Sequence, residues 1–341
     1  MSESHPYSNW LVIDRSIIAD NLRALKRIAQ SPVMAVLKAN AYGHGLAETG
    51  RVAAEAGAAF LAVARTEEAL FLRSHGIETP ILVLGYTDPR FYPQAKDQNI
   101  SLTIFHTDHL DAIAALGADK PPLRVHVKVD TGMSRLGLPP EAAFHLLQQA
   151  VGSTGVHVEG IFTHYARADE PQIGTTQVQQ TQFLDLVTQL ENAGLRPPLV
   201  HAANSAATLC WPESRLDIVR PGIALYGMCP SEDVVLPPEL KPALTWKARL
   251  SAIKRLKPGA GISYGHVYHT QAEERIGVVP VGYGDGFRRV PENFMLIRGM
   301  RVPVVGRVCM DQCMIQLDQV PEARVGDEIV VLGSQGSAQF R

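Results

Sequence analysis

VMAVLKANAYGHG, residues 33–45, carries an element of the fold and a reactive group placed at its end. Val33 to Leu37 is an uninterrupted apolar run of the length of a buried strand, and Lys38 stands where that strand leaves the core. Burial disfavours an ammonium, so a lysine there has a lowered pKa and a larger share of free amine, the form that attacks a carbonyl to give a Schiff base. A lysine whose stem covers apolar surface while its head reaches water has the same local pattern. Ala39 to Gly45 adds a loop of small residues and one phenol, Tyr42, which lets a ligand approach the backbone closely.

The same unit recurs along the chain. Apolar runs stand at 60–64 (FLAVA), 81–85 (ILVLG), 101–105 (SLTIF), 123–130 (LRVHVKVD), 158–164 (VEGIFTH), 199–204 (LVHAAN) and 216–220 (LDIVR), with helical segments between them. With residues 33–38 that makes eight strands alternating with helices, the pattern of an α/β chain folded as a (β/α)8 TIM-type barrel. An open doubly wound sheet has the same periodicity. The polar residues favour the barrel: Lys38, Lys128, Asp130, Thr163, His164, Asn204 and Arg220 all fall at or just after the C-terminal ends of their strands, the face on which such barrels do chemistry. HAANSAA and RPGIALYG place Asn204, Ser205, Gly222 and Ile223 after the seventh and eighth strands, where backbone N–H groups commonly hold a phosphate. Taken singly, Asn204 and Ser205 also read as helix caps and Pro221-Gly222 as a turn. Together with a lysine on the same face they point to a phosphorylated carbonyl cofactor bound as an imine.

Around 230–242 the composition shifts to PSEDVVLPPELKP, which reads as a linker. Beyond it come short strands and turns with little helix, so the chain divides into a barrel over 8–230 and a smaller, mainly β domain over 240–341. The strand-like WLVI near the N-terminus is a candidate to join the β domain. A chain of 341 residues with 46% hydrophobic and 19% charged residues is ordinary for a globular protein, and a net charge of -2 gives no basic footprint for nucleic acid or for an anionic membrane surface. The opening MSESHPYSNW is too polar for a secretory signal, which gives a cytoplasmic reading. The cysteines form no CxxC pair, and Cys309 and Cys313 lack a second cluster to complete a zinc site, so free thiols and no metal are expected.

These motifs closely resemble those of the alanine racemase family, pyridoxal phosphate enzymes of the barrel-plus-β-domain class. VLKANAYGHG resembles its cofactor-lysine motif, VKVDTGMSRLG its substrate-side strand, HAANSAA and RPGIALYG its phosphate loops, and SYGHVY and GRVCMDQ its partner-facing segments. The resemblance implies interconversion of L- and D-alanine through a pyridoxal phosphate aldimine on Lys38, with D-alanine supplied for peptidoglycan. Lys38 would carry a proton on one face of the α-carbon and Tyr264, from the other subunit of a head-to-tail homodimer, on the opposite face. It also implies that His164 contacts the tyrosine and is linked to Arg220, that Arg220 faces the pyridine nitrogen, and that Lys128 is carbamylated and orients Arg135. Arg135 would meet the substrate carboxylate or the cofactor phenolate. Tyr42, Ser205, Gly222 and Ile223 would bind phosphate beside Asn204; Met310 and Asp311 of the partner would bound the substrate pocket, with Tyr283 lining its entrance. One departure stands out: the family's pattern continues beyond DEIVVLG to a tyrosine that touches the phosphate, whereas this chain stops at SAQFR, which would leave the β domain short. Alternatives are a racemase for serine or for a wider range of amino acids, a non-catalytic pyridoxal phosphate carrier, a related barrel decarboxylase, and an aldolase whose lysine condenses with substrate directly.

Overall fold

A computed structural model describes residues 6–117, 121–172 and 174–340. The chain forms two compact units: residues Arg15–Ala243, and a second that joins the N-terminal segment through Asp14 to the residues from Leu244 onward.

After strand β1 (Asn9–Ile13), seven parallel strands follow in sequence order, β2 (Met34–Val36), β3 (Phe60–Val63), β4 (Ile81–Val83), β5 (Ile100–Ile104), β6 (Leu123–Lys128), β7 (Val156–Phe162) and β8 (Leu199–His201). Every residue of β2, β4 and β5 is buried, as expected of strands faced on both sides. Helices on the outside supply one of those faces. Arg15–Ala29 is typical, burying Ile18, Leu22, Leu25 and Ala29 at three- and four-residue intervals.

The eighth strand expected at 216–220 is corrected by the structure to a single bridge between Val33 and Val219. The barrel still closes there. On one side Met34 donates to Val219 O at 2.8 Å and Val36 to Pro221 O at 3.1 Å; on the other, Asp217 donates to Val200 O at 3.1 Å and Arg220 to Ala203 O at 2.9 Å. The regular ladder fails because the Asp217 carboxylate, not a backbone carbonyl, accepts the Val200 N–H at 2.7 Å. The segment at 230–242 packs onto the barrel: Val234 and Leu240 are buried, and Asn21 bonds both the N–H and the C=O of Lys241.

The second unit pairs β1 with β9 (Leu244–Arg249) and adds β10 (Ala252–Leu256), the short hairpin β11 (Gly261–Ile262) and β12 (Tyr268–His269), β13 (Glu274–Val279), β14 (Phe294–Ile297), β15 (Met300–Val305), β16 (Cys313–Gln316), β17 (Glu328–Gln335) and β18 (Ala338–Phe340). Its main sheet runs β1-β9-β17-β14-β15-β16-β13-β10, with β18 on β17. Alternate residues of these strands, including Val279, Met295, Ile297, Ile315 and Ile329, build its core. The architecture is the barrel followed by a mainly β domain.

Candidate active site

Immediately after β2 the backbone does something L-residues avoid. Ala39, Asn40 and Ala41 have φ of 54° and Tyr42 of 53°, four consecutive left-handed residues without a glycine among them. That conformation is unfavourable by about 1–2 kcal/mol per residue, so the surroundings must hold it. Ala41 N–H bonds Leu37 O at 2.8 Å, and Ala39 N–H donates to Glu68 Oε1 at 2.7 Å. The other Glu68 oxygen accepts from Ala64 and Arg65 N–H at 2.9 and 3.1 Å, tying the turn to the loop after β3. Asn40 Oδ1 accepts from Leu46 N–H, and His44 Nδ1 reaches the carbonyls of Ala41 and Tyr42, both at 3.1 Å. Gly43 and Gly45, at φ of 84° and 89°, complete the reversal that returns the chain to helix Leu46–Glu55.

This turn sets Lys38 and Tyr42 side by side, with the ammonium nitrogen 5.8 Å from the phenol ring centre. Burial lowers the pKa of Lys38, the Arg135 guanidinium lowers it further, and Glu68 opposes both. Its amine opens into a cavity of about 340 Å³ whose lining includes Tyr42, Lys128, Arg135, His164, Asn204, Ser205, Arg220, Gly222 and Ile223. These barrel residues singled out from the sequence line one cavity, whereas Asp130 and Thr163, named with them, are not part of its lining.

Ser205 Oγ accepts N–H bonds from Gly222 at 2.9 Å and Ala224 at 3.3 Å, which ties the two loops into one cradle. Asn204 caps helix Ser205–Cys210 by accepting from Ala207 N–H at 3.0 Å. Gly222 lacks a side chain for a reason: a Cβ there would come within 2.4 Å of Tyr42 Oη. Hydroxyls of Tyr42 and Ser205 beside the backbone of Gly222 and Ile223 suit a phosphate, and the Lys38 amine suits an aldehyde. The donor set fits pyridoxal phosphate.

Arg220 is buried and heavily committed. Its guanidinium donates to His201 Nδ1 at 2.8 Å, to the carbonyls of Thr163 and Ala202 at 2.8 and 3.0 Å, and lies 3.4 Å from His164 Nδ1. Desolvation and the cations of Arg220, Lys128, Arg135 and Lys38 push His164 well below its usual pKa, so its ring is neutral. Lys128 is buried with its ammonium donating to Val129 O at 2.9 Å, and desolvation followed by Arg220 lowers its pKa to about 7. Arg135 rides on a loop folded by Asp130, whose Oδ1 accepts from the N–H groups of Gly132, Met133 and Ser134. The loop closes where Asp130 N–H bonds Leu138 O at 2.8 Å.

The remaining residues lie in the β unit. Tyr264 sits on a tight turn between β11 and β12 and is 70% exposed, as Met310 is at 64%. Ser263 donates to Arg307 O and touches Cys309 Sγ, Tyr283 N–H bonds Cys309 O at 3.0 Å, and Gly284 N–H bonds Met310 O at 2.8 Å. The loops carrying Tyr264, Tyr283 and Met310 thus meet around Cys309, with the exposed Asp311 adjoining.

Four polar residues were not singled out: Glu68, His126, Glu159 and His201. Glu68 looks like any acid in a first helical turn. His126 had a legible signal, since it precedes Lys128 by two in a strand and so shares its face.

The family description "Alanine racemase, N-terminal domain" matches residues 13–230, and "Alanine racemase, C-terminal domain" matches 243–341. An alanine racemase of Desulfovibrio desulfuricans is 42% identical over 95% of this chain and 89% of its own, and one of Geobacillus stearothermophilus is 44% identical over 96% and 84%. The crystal structure of the E. faecalis alanine racemase superposes with a TM-score of 0.92 at 37% identity, covering 99% of this chain and 92% of that one. That of the Bacillus anthracis alanine racemase with bound L-Ala-P gives 0.90 at 38% identity, covering 98% and 89%. With both domains matched in order and relatives 42% and 44% identical over most of its length, the chain belongs to the alanine racemase family.

Proposed function

We propose that Lys38 and Tyr264 are the two proton carriers of alanine racemisation, with Tyr264 contributed by the partner subunit of a head-to-tail homodimer. The function is that of an isomerase interconverting L- and D-alanine. The observation that carries the site assignment is the lowered pKa of Lys38 at the mouth of a cavity that also holds the Ser205–Gly222 cradle.

Pyridoxal phosphate, when bound, supplies a conjugated ring that draws electron density from the substrate α-carbon. Lys38 would hold it, with Tyr42, Ser205, Gly222 and Ile223 on its phosphate and Arg220 on its ring nitrogen. A guanidinium does not release its proton, so Arg220 keeps that nitrogen a bare acceptor, which moderates the electron withdrawal. Arg135 offers its fork of donors to the substrate carboxylate. Lys38 takes or gives a proton on one face of the α-carbon, and the Tyr264 phenol does the reverse on the other, as inversion of a stereocentre requires. His164, neutral and beside Arg220, would accept a hydrogen bond from that phenol. A Lys128 pKa of about 7 leaves much of its amine uncharged, the form that reacts with carbon dioxide, and a carbamate there would turn a cation facing Arg135 into an anion that orients it. Met310 and Asp311, contributed like Tyr264 by the partner subunit, would bound a small substrate pocket with Tyr283 at its entrance and set the preference for alanine over serine.

Among the described residues no helix is long and apolar enough to cross a membrane. A cytoplasmic enzyme providing D-alanine for peptidoglycan is the setting we propose. The test is direct: purified protein should show a visible absorbance that borohydride abolishes, and either alanine enantiomer should lose optical rotation to the same end point. A bound cofactor without interconversion would overturn this reading, and faster turnover of L-serine would reassign the substrate.

A further inference from the structure

The interior of a parallel barrel is ordinarily filled by layers of branched apolar side chains. Here a polar thread runs through it from Arg220, built from His201 on β8, His126 on β6 and Glu159 on β7. His126 and His201 are fully buried, and Arg220 and Glu159 are 4% and 6% exposed. Arg220 Nη1 lies 2.8 Å from His201 Nδ1, His201 Nε2 lies 2.9 Å from His126 Nδ1, and His126 Nε2 lies 3.1 Å from Glu159 Oε2. The Glu159 carboxylate is completed by Ser101 Oγ at 2.5 Å on one oxygen and Arg124 Nη1 at 2.8 Å on the other.

The two ends dictate where every proton sits. A guanidinium has only donors, so His201 Nδ1 must present a lone pair. The proton of that neutral ring is then on Nε2 and points at His126, whose Nδ1 must accept it. His126 in turn carries its proton on Nε2, facing a carboxylate that can only accept. Reversing either ring would set two N–H groups or two lone pairs against each other in a dry interior, where a mismatched polar pair is costly. Protonating His201 would aim an N–H at the guanidinium. The ring of His201 is further held by stacking on Phe162, 4.8 Å away and 7° from parallel.

We propose that Glu159 is a positioning residue for Arg220, acting through His126 and His201 by fixing both imidazoles as neutral Nε2–H tautomers. Arg220 then always meets a lone pair, and its orientation toward the cofactor ring is set by a carboxylate that touches neither cofactor nor substrate. This rests on the reading of Arg220 given above and extends it to three residues outside the cavity.

Imidazole 15N spectroscopy of the cofactor-free protein tests the thread without any turnover. In the wild type His126 and His201 should each show a bare Nδ1 and a protonated Nε2; a protonated Nδ1 at His201 overturns the proposal with no variant needed. Glu159→Leu leaves the His126 Nε2–H without an acceptor, so only the guanidinium still orders the rings: the tautomers should mix, and kcat should fall about tenfold with the KM for alanine little changed, whereas Glu159→Gln, whose amide oxygen can still accept that N–H, should keep them. Ser101→Ala, which leaves the carboxylate in place, should keep both tautomers. A Glu159→Leu protein with a lower melting temperature but unchanged tautomers and kcat would make Glu159 merely structural and overturn the proposal. Correct tautomers in a wild-type protein that does not racemise alanine would sink the functional reading and leave the thread standing.

Discussion

The hydroxyl of Tyr42 occupies the space a side chain at position 222 would need, since a Cβ on Gly222 would come within 2.4 Å of it. The left-handed turn that follows Lys38 and the loop that follows the barrel's closing segment are fitted to each other at that point. Gly222→Ala should push the phenol away and loosen the cradle made with Ser205. We expect at least a tenfold weaker retention of pyridoxal phosphate, with stability reduced by about 1–3 kcal/mol. Equilibrium dialysis and thermal unfolding measure the two, and unchanged retention would refute the close fit.

Glu68 serves the same turn from the other side, accepting the N–H groups of Ala39, Ala64 and Arg65. Gln at 68 has one accepting oxygen instead of two, so Glu68→Gln should destabilise the protein by about 1–3 kcal/mol. Because the Glu68 charge raises the pKa of Lys38, removing it should lower that pKa further. An NMR titration of Lys38 in cofactor-free protein would show it, and an upward shift would contradict the arrangement.

Lys128 makes stability depend on pH. Its folded pKa of about 7 lies below the 10.5 of a free lysine, so between those values the unfolded chain binds the extra proton. Stability contributed by this group therefore rises with pH across that window, by up to ~1.4 kcal/mol per unit, and the penalty is complete below pH 7. Denaturant unfolding in buffer stripped of carbon dioxide should show the slope in wild type and lose it in Lys128→Met. Equal slopes in the two proteins would argue that the amine is not held in a dry site.

Tyr264 stands 70% exposed on the β unit, with a phenol that can both donate and accept. Tyr264→Phe removes one oxygen and should lower kcat by 10²–10⁴, the range for loss of a proton carrier. Mixing inactive Lys38→Ala with inactive Tyr264→Phe subunits should restore part of the activity if each site combines residues of two chains. No recovery under conditions that exchange subunits would rule out the shared site.

The barrel was legible because its strands are short apolar runs ending in polar residues, a pattern that buried parallel strands impose and that Lys38, Lys128, His164 and Arg220 all obey. The closing segment at 216–220 has the same pattern, yet Asp217 replaces a ladder carbonyl with its side chain, a competition that sequence periodicity does not register. The stretch at 230–242 read as a linker because prolines hide period, and the clamp of Asn21 on Lys241 that packs it comes from a helix two hundred residues away.

By itself the sequence determined which chemical groups are present and at which strand ends they stand, since side-chain alternation and strand length are local properties. Tertiary structure alone decided how those groups act. The left-handed course of residues 39–42 is unfavourable for the residues themselves and exists only because Glu68, Asn40 and His44 hold it. The thread from Arg220 to Glu159 exists only because β6, β7, β8 and the closing segment bring their side chains to one buried axis, where each donor must find an acceptor.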